Sequence, residues 1–292
     1  MSAQLIDGRA IAREIHEETR VKVSKLIARG TEPKIVFIRV GEDPASQAYV
    51  GMKDKKAADL GILTDTRVLP EETTQDELLA LLKNLNDDKT IHGILVQAPL
   101  PPHISETKVF SSVSPGKDVD GFHPVNVGKL LLGSGDGFRP CTPAGVQELI
   151  IRSDIPTEGK NVLILGRGNI VGKPMAAILC QKDKHANATI TLAHSRTANI
   201  ADLAKESDIV IAAMGVAEFL KADMVKPGAT VIDVGVNRIE DPSAKRGYRL
   251  VGDIEFEPIC KVAGFVTPNP GGVGPMTIAM LMANTVHAAE QA

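Results

Sequence analysis

Residues 161–172 read Asn-Val-Leu-Ile-Leu-Gly-Arg-Gly-Asn-Ile-Val-Gly, an apolar run that leads directly into three spaced glycines. Such a run is typical of a buried parallel strand, and Pro174 is placed to stand in the first turn of a following helix. Strand, glycine turn and helix together bind a dinucleotide pyrophosphate, because glycines permit close approach and the helix N-terminus offers N–H groups. The glycine spacing is one residue longer than the usual fingerprint, so a purely structural turn is the alternative.

The segment after the next predicted strand, residues 189–193, favours one dinucleotide over the other. NAD sites place a carboxylate there for the ribose 2′-hydroxyl, but residues 189–201 contain no acidic residue. They offer a serine and an arginine instead, and a second arginine lies in the glycine turn; guanidinium groups bind phosphate in a bidentate manner. Solvated loop arginines are the alternative. We predict NADP, held by Gly166, Arg167, Gly168, Gly172, Ser195 and Arg196.

Strand and helix patterns alternate on both sides of residues 161–172, which indicates an α/β chain with parallel sheets covered by helices. One series occupies residues 8–102, and the second extends to residue 267. Residues 111–143 are rich in Gly and Pro and show little periodicity, so we interpret them as a connector or a site-lining segment. Periodicity does not decide whether the last helix, predicted for residues 275–289, packs on the second series or returns to the first.

The 292 residues carry 33 Lys and Arg against 36 Asp and Glu, a net charge of −3, without a basic block. This composition argues against nucleic acid as a partner. Apolar stretches are too short to span a bilayer and the N-terminus lacks the regions of a signal peptide, so we expect a cytoplasmic protein without a membrane partner. Its cysteines (Cys141, Cys180 and Cys260) fit reduced thiols better than a disulfide or zinc site, and we expect no metal.

Three polar residues share one side of the helix predicted for residues 44–60. Ser46, Tyr49 and Lys53 are spaced three and four residues apart, as residues on one helix face are. Gln97 ends a predicted strand, at the carboxyl edge where open α/β sheets bind ligands. A solvated charge run around the lysine and a strand-end amide facing water are the alternatives.

Five separated segments match one known pattern. They are Val40-Gly-Glu-Asp-Pro-Ala-Ser-Gln-Ala-Tyr49-Val-Gly-Met-Lys53, Gly93-Ile-Leu-Val-Gln97-Ala-Pro-Leu-Pro, Lys117-Asp-Val-Asp120-Gly-Phe, Arg139-Pro-Cys-Thr-Pro143 and Pro270-Gly-Gly-Val-Gly-Pro-Met-Thr277. With them the chain resembles, over nearly its whole length, the bifunctional methylenetetrahydrofolate dehydrogenase/methenyltetrahydrofolate cyclohydrolase family. Ala98 and Asn269 depart from the residues usual at those positions, which can alter the folate pocket without removing a reactive group.

The resemblance implies roles for particular residues. Lys53 is then the central catalytic residue, supported by Tyr49 and Gln97, and Asp120 binds the pterin of a tetrahydrofolate substrate. Without the resemblance, the segment that contains Asp120 equally fits a polar turn. Further substrate contacts are expected from Ser46, Pro270, Gly271 and Gly272. The family is also homodimeric, and its last helix returns to the catalytic domain.

We therefore expect two α/β domains with a cleft between them. The first is a catalytic, folate-binding domain of residues 1–140, completed by the C-terminal helix at 275–292; the second is a Rossmann-like NADP-binding domain of residues 141–271. The expected reactions are NADP-dependent oxidation of 5,10-methylenetetrahydrofolate to 5,10-methenyltetrahydrofolate and its hydrolysis to 10-formyltetrahydrofolate. Another NADP-linked dehydrogenase with an N-terminal substrate domain, or a non-catalytic NADP-binding module, is the alternative.

Overall fold

The computed structural model of the chain describes residues 2–243 and 247–292. In chain order the strands are β1 (Gln4–Leu5), β2 (Lys34–Val40), β3 (Leu63–Leu69), β4 (Gly93–Val96), β5 (Asn161–Leu165), β6 (Thr189–Ala193), β7 (Ile209–Ala212), β8 (Thr230–Asp233), β9 (Asn237–Glu240), β10 (Tyr248–Val251) and β11 (Phe265–Val266). The helices are α1 (Gly8–Ile27), α2 (Pro44–Asp59), α3 (Gln75–Asp87), α4 (Glu106–Phe110), α5 (Pro124–Leu132), α6 (Cys141–Arg152), α7 (Gly172–Leu179), α8 (Ile200–Glu206), α9 (Phe256–Ile259) and α10 (Val273–Glu290). Within the described ranges, no helix is both long and apolar enough to cross a membrane.

The chain divides into two compact units. The first unit contains Arg13–Cys141 and Ile278–Ala292, and the second contains Thr142–Thr277 together with the N-terminal residues through Ala12. The N-terminal residues through Ala12, predicted for the first domain, belong instead to the second unit. Strand β1 pairs in parallel with β11, so the N-terminal segment adds a strand to the sheet of the second unit.

A three-stranded parallel sheet in the order β3-β2-β4 forms the centre of the first unit. Four consecutive residues of β2, Ile35 to Ile38, are completely buried, as expected of a strand with helices on both faces. Phe37 packs in a cluster with Leu60 after α2 and with Met282 of α10, whereas Val36 packs with α3 on the other face. The carboxyl ends of β2 and β4 therefore lie side by side and position the segments that follow them.

The second unit contains a six-stranded parallel sheet in the order β1-β11-β8-β7-β5-β6. Strand β5 begins the series, β6 lies on one side of it and β7 on the other, so the order reverses between β5 and β7. Open α/β sheets bind ligands outside the carboxyl ends of the strands at such a point. An antiparallel pair, β9 with β10, is added beside the main sheet. The predicted α/β fold with parallel sheets is confirmed.

Helix α5 lies within residues 111–143, a segment whose weak periodicity predicts a connector without a helix. Its ends carry recognisable signals: the ring Nδ1 of His123 accepts a hydrogen bond from the backbone N–H of Val125, Pro124 is the first helical residue, and Gly133 ends the helix with φ of +70°. The interior Gly128 and the short length hid the helical period.

His16 on α1 is buried, and its Nδ1 has no hydrogen-bond partner among the described residues. Burial, followed by the charge of Lys56, lowers the pKa of this imidazole from 6.5 to about 4; Arg20 also lowers the pKa, whereas Glu17 and Asp59 raise it. The unfolded chain therefore binds a proton at this histidine between pH 6.5 and 4 while the folded chain does not. Acidification through that window favours unfolding.

We expect His16→Gln to lose less stability than the wild type between pH 7 and pH 5, because glutamine has no proton to gain. Urea unfolding of both proteins at both pH values gives the comparison. Buried carboxyl groups that titrate in the same pH range, such as Asp118 with a pKa of about 6, are present in both proteins. Their contributions to the change in stability therefore cancel in the comparison. Equal losses in the two proteins would contradict the assignment.

Candidate functional site

Helix α2 follows β2 and begins at a well-defined N-terminal cap. The carboxylate of Asp43 accepts a hydrogen bond from the backbone N–H of Ser46 at 2.7 Å, and Pro44 is the first helical residue. Ser46 is itself buried, and its side chain also bonds to Asp43. The helical period then places Tyr49 and Lys53 along the same side, one turn apart.

Lys53 lies at the centre of the predicted cluster, with only 4% of its surface exposed. Its ammonium Nζ donates to Oε1 of Gln97 at 3.0 Å and lies 4.5 Å from the centre of the Tyr49 ring. Gln97 follows β4 directly, and its Nε2 donates to the carbonyl of Ala98 at 2.6 Å, which turns Oε1 toward the lysine. The structure therefore brings Lys53, Tyr49 and Gln97 together.

Asp120 is the charged partner of this cluster. Burial lowers the pKa of Lys53, while the negative charge of Asp120 raises it in part. Burial raises the pKa of Asp120, and the Lys53 charge and a hydrogen bond from the Cys141 thiol lower it in part. Burial and Asp120 hold the pKa of Cys141 well above its usual value, so the thiol stays protonated and donates. An amine whose pKa is lowered beside a carboxyl group whose pKa is raised is suited to proton transfer.

The neighbouring Asp118 differs from Asp120 in having a structural role. Its carboxylate accepts from the backbone N–H groups of Phe122 at 3.2 Å and His123 at 2.7 Å, and from the side-chain amide of Asn126 at 2.9 Å. Burial nevertheless raises its pKa to about 6. These bonds close the turn after Asp120 and commit Asp118 to holding the loop.

Lys117 anchors the same loop from the other end. Its Nζ donates to the carbonyl oxygens of Leu85, Asn86 and Asp88, three acceptors left over at the end of α3. Gly121 has φ of +80°, and a Cβ there would lie 2.6 Å from the carbonyl carbon of Arg139. The loop thus holds Asp120 between two fixed points.

Two residues of this site were missed by the sequence analysis. Cys141 was interpreted only as a reduced thiol, although it lies within a matched segment. The side-chain amide of Asn284, on α10, donates to the carbonyl oxygens of Val119 at 2.8 Å and Arg139 at 3.1 Å. It therefore ties the segment before Asp120 to the segment before Cys141. No local pattern marks an asparagine that is separated from its partners by more than 140 residues.

The glycine turn after β5 has the form that the dinucleotide motif predicts. Gly166 has φ of +119°, and a Cβ on it would lie 2.2 Å from the carbonyl oxygen of Ala213. A Cβ on Gly172 would lie 1.9 Å from the carbonyl oxygen of Gly166. Gly168 is exposed and faces open space, so a ligand can approach its backbone. The turn fits a pyrophosphate at the N-terminus of α7.

The two predicted arginines lie in loops at the same edge of the sheet. Residue Leu165 at the end of β5 pairs with Ala193 at the end of β6, and Arg167 and Arg196 follow these ends with exposed side chains. Ser195 is exposed beside them. Because residues 194–199 contain no carboxylate, this edge fits a phosphate better than a ribose hydroxyl.

The predicted loop Pro270 to Gly272 belongs to the second unit, whereas the Lys53 cluster belongs to the first. Gly271 has φ of +115°, and a Cβ on Gly272 would lie 2.7 Å from the carbonyl oxygen of Pro268. Both positions therefore require glycine for the path of the chain itself.

Comparison with known proteins gives matches over nearly the whole chain. Residues 6–120 match the tetrahydrofolate dehydrogenase/cyclohydrolase catalytic domain, and residues 140–292 match the NAD(P)-binding domain of the same family. The bifunctional protein FolD of Prosthecochloris aestuarii is 52% identical over 285 residues, 97% of each chain.

Two solved structures are also similar. The bifunctional FolD methylenetetrahydrofolate dehydrogenase/cyclohydrolase of Campylobacter jejuni has a TM-score of 0.94 at 45% identity, covering 99% of both chains. The Trypanosoma brucei enzyme, solved with NADP cofactor and an inhibitor, has a TM-score of 0.93 at 41% identity, covering 100% of this chain and 98% of that one.

The structural role of Asp118 can be tested by mutation. Asp118→Ala leaves three donors without their acceptor, so we expect the free energy of unfolding to fall by roughly 2–4 kcal/mol. Asp136→Ala is the control, because this exposed aspartate contacts Lys129 and the Ser134 side chain at the surface, where solvent-screened pairs contribute little to stability. Urea unfolding followed by circular dichroism measures both, and similar small losses would contradict the structural role of Asp118.

Proposed function

The chain belongs to the tetrahydrofolate dehydrogenase/cyclohydrolase family, and on that premise we propose that it carries out two reactions in sequence. The first is the NADP-dependent oxidation of 5,10-methylenetetrahydrofolate to 5,10-methenyltetrahydrofolate. The second is hydrolysis of that product to 10-formyltetrahydrofolate. The observation that carries the proposal is the buried Lys53, held by Gln97 beside Tyr49 and Asp120, because this cluster supplies the proton chemistry of the second reaction.

The dehydrogenase step depends chiefly on alignment of the substrate. Bound NADP supplies the hydride acceptor, and removal of a hydride from the one-carbon bridge leaves a resonance-stabilised cation without any proton transfer. The chain then has to hold the folate in a fixed orientation. We assign this role to Asp120, since a carboxylate accepts two hydrogen bonds from the amino group and ring N–H of a pterin. Ser46 and the residues Pro270 to Gly272 are proposed as further folate contacts.

The hydrolysis step requires protons to move. A water that attacks the methenyl carbon has to lose a proton, and a ring nitrogen has to gain one when the ring opens. Lys53 suits both transfers, because burial lowers its pKa and the positive charge of the substrate acts in the same direction. In its neutral form Lys53 accepts the proton of water, and as ammonium it returns a proton to nitrogen. Gln97 keeps Nζ in place without adding a charge.

NADP is assigned to the second unit. Gly166, Gly168 and Gly172 would hold the pyrophosphate at the start of α7, and the loops after β5 and β6 would hold the 2′-phosphate through Arg167, Ser195 and Arg196. Folate chemistry is assigned to the first unit, which contains the whole Lys53 cluster.

A homodimeric state belongs to the same proposal, and light scattering on the purified protein tests it.

The direct test of the function is to mix the purified protein with 5,10-methylenetetrahydrofolate and NADP and to follow two absorbances. Reduction of NADP and transient appearance of the methenyl product are expected, followed by decay of that product to 10-formyltetrahydrofolate. A dehydrogenase for another substrate would give no signal, and a non-catalytic module would bind NADP without reducing it.

We expect Lys53→Met to separate the two activities. Methionine is close to lysine in length but moves no proton, so cyclohydrolase turnover should fall by about 10²- to 10⁴-fold, the usual contribution of general acid–base catalysis. Dehydrogenase activity should fall less, and the methenyl product should accumulate. Lys55→Met, at an exposed position of the same helix, is the control and should leave both rates unchanged. Equal losses of both rates in Lys53→Met would assign the lysine to substrate positioning alone.

Replacement of Arg167 and Arg196 by alanine should weaken NADP binding by about 10²-fold or more while leaving NAD binding unaffected, since each charge-assisted contact contributes roughly 1.5–3 kcal/mol. Titration with both nucleotides measures the effect. The double variant Lys205→Ala/Lys261→Ala removes the same charge near the starts of β7 and β11, at the opposite edge of the sheet, and should not change NADP affinity. Equal use of NAD and NADP by the wild type would refute the assignment.

A further inference from the structure

A buried carboxylate outside every predicted motif lies beside the nucleotide edge of the second unit. Asp253 is 1% exposed. Its Oδ2 accepts from the backbone N–H groups of Met214 at 2.6 Å and Gly215 at 2.8 Å, and its Oδ1 accepts from the side-chain amide of Asn237 at 2.8 Å. One carboxylate thus holds two consecutive backbone N–H groups of a loop that lies almost 40 residues earlier in the chain.

That loop, residues 213–216, follows β7 at the point where the strand order reverses. The N–H of Ala213 donates to the carbonyl of Leu165 at 2.8 Å, and the carbonyl oxygen of Ala213 lies 2.2 Å from the position of a Cβ on Gly166. The loop therefore runs directly along the glycine turn. Since ligands of open α/β sheets lie between the loops that flank such a reversal, residues 213–216 form the second wall of the nucleotide site.

The loop bends at Met214, and Gly215 has φ of +68°. Two successive N–H groups that point to the same side of a turn cannot both be satisfied by a neighbouring strand, and the Asp253 carboxylate satisfies them together. A charged acceptor makes both bonds stronger than a neutral one would.

The backbone holds the Asp253 side chain firmly in place. A Cβ on Gly235 would lie 2.1 Å from its Oδ1, so the carboxylate packs directly against the chain after β8. Its own N–H donates to the carboxylate of Asp233 at 2.9 Å, and its carbonyl accepts from the N–H of Leu220 at 2.9 Å. These backbone bonds do not involve the carboxylate, so the chain around residue 253 keeps its anchors when the side chain is removed.

We infer that Asp253 is a positioning residue for NADP, which sets the 213–216 wall of the nucleotide site through Met214 and Gly215. The inference rests on the proposed function, because it presupposes that this edge binds NADP. Asp253 acts on the nucleotide only through the loop. Its removal should therefore weaken NADP binding and raise the KM for NADP, while the cyclohydrolase reaction, which needs no nucleotide, continues on methenyl substrate supplied directly.

The experiment compares the wild type with Asp253→Ala in the full chain. We expect the dissociation constant for NADP, measured by direct titration, to rise at least about ten-fold. Cyclohydrolase activity on added 5,10-methenyltetrahydrofolate should stay within about two-fold of the wild type, a retention that general damage to the fold would not allow. Hydrogen exchange of the peptide that contains residues 213–216 should become faster in the variant.

Asp208→Ala is the matched control. This aspartate also accepts a backbone hydrogen bond in the same sheet, from Asn161 at 3.0 Å, but it precedes β7 at the amino edge. It should leave the NADP dissociation constant unchanged even where stability falls. An Asp253→Ala protein that binds NADP within two-fold of the wild type would overturn the inference, as would equal loss of NADP affinity in the Asp208→Ala control.

If Asp253→Ala does not fold, Asp253→Asn decides the question, since asparagine keeps the size and removes the charge. Its amide nitrogen would face either the two loop N–H groups or the Asn237 amide, so weaker NADP binding and faster exchange at residues 213–216 are again expected. Wild-type values for both would overturn the inference. A wild-type protein that fails to bind NADP in the same titration would instead reject the proposed function, an outcome distinct from an unaltered Asp253 variant.

Discussion

A buried ammonium group has to be compensated, and this requirement at Lys53 organises the first unit. An ion removed from water loses several kcal/mol of solvation, which only nearby charges and hydrogen bonds can offset. Here the compensation comes from three directions: an amide oxygen of Gln97, the ring face of Tyr49 and the charge of Asp120. Each comes from a different segment, so the helix α2, the end of β4 and the loop around Asp120 have to meet at one point.

The compensation of the Lys53 charge is incomplete, and the proposed hydrolysis depends on this. Burial outweighs the attraction of Asp120, so the pKa of Lys53 is lowered and that of Asp120 is raised. A lysine without this lowering of its pKa would be a poorer base for the hydrolysis that we propose. Gln97 contributes to this balance, because it accepts the hydrogen bond of Nζ without the full negative charge that would hold the proton.

The sequence predicts those parts of the structure that local patterns determine. The strands β5 to β8 and the start of α2 are visible as apolar runs and as the Asp43-Pro44 helix start, and the glycine turn is visible because its backbone excludes side chains. Cys141, Asn284 and Asp253 were not predicted, because their roles depend on contacts between segments far apart in the chain. Neither a thiol nor an asparagine within an apolar helix has a pattern that reveals such a partner.

Three aspartates, Asp118, Asp120 and Asp253, differ in the groups that surround their carboxylates. Asp118 and Asp253 each accept from two backbone N–H groups and one side-chain amide, so their acceptor positions are occupied by the chain itself. The pKa of Asp120 responds instead to burial, Lys53 and a thiol. A carboxylate saturated by backbone donors is fixed in place and is suited to holding a loop. The Asp120 carboxylate, which faces the charge of Lys53 instead, is the group that the proposed function assigns to the substrate. The groups around each carboxylate therefore distinguish the two aspartates that hold loops from the one that we propose binds the pterin.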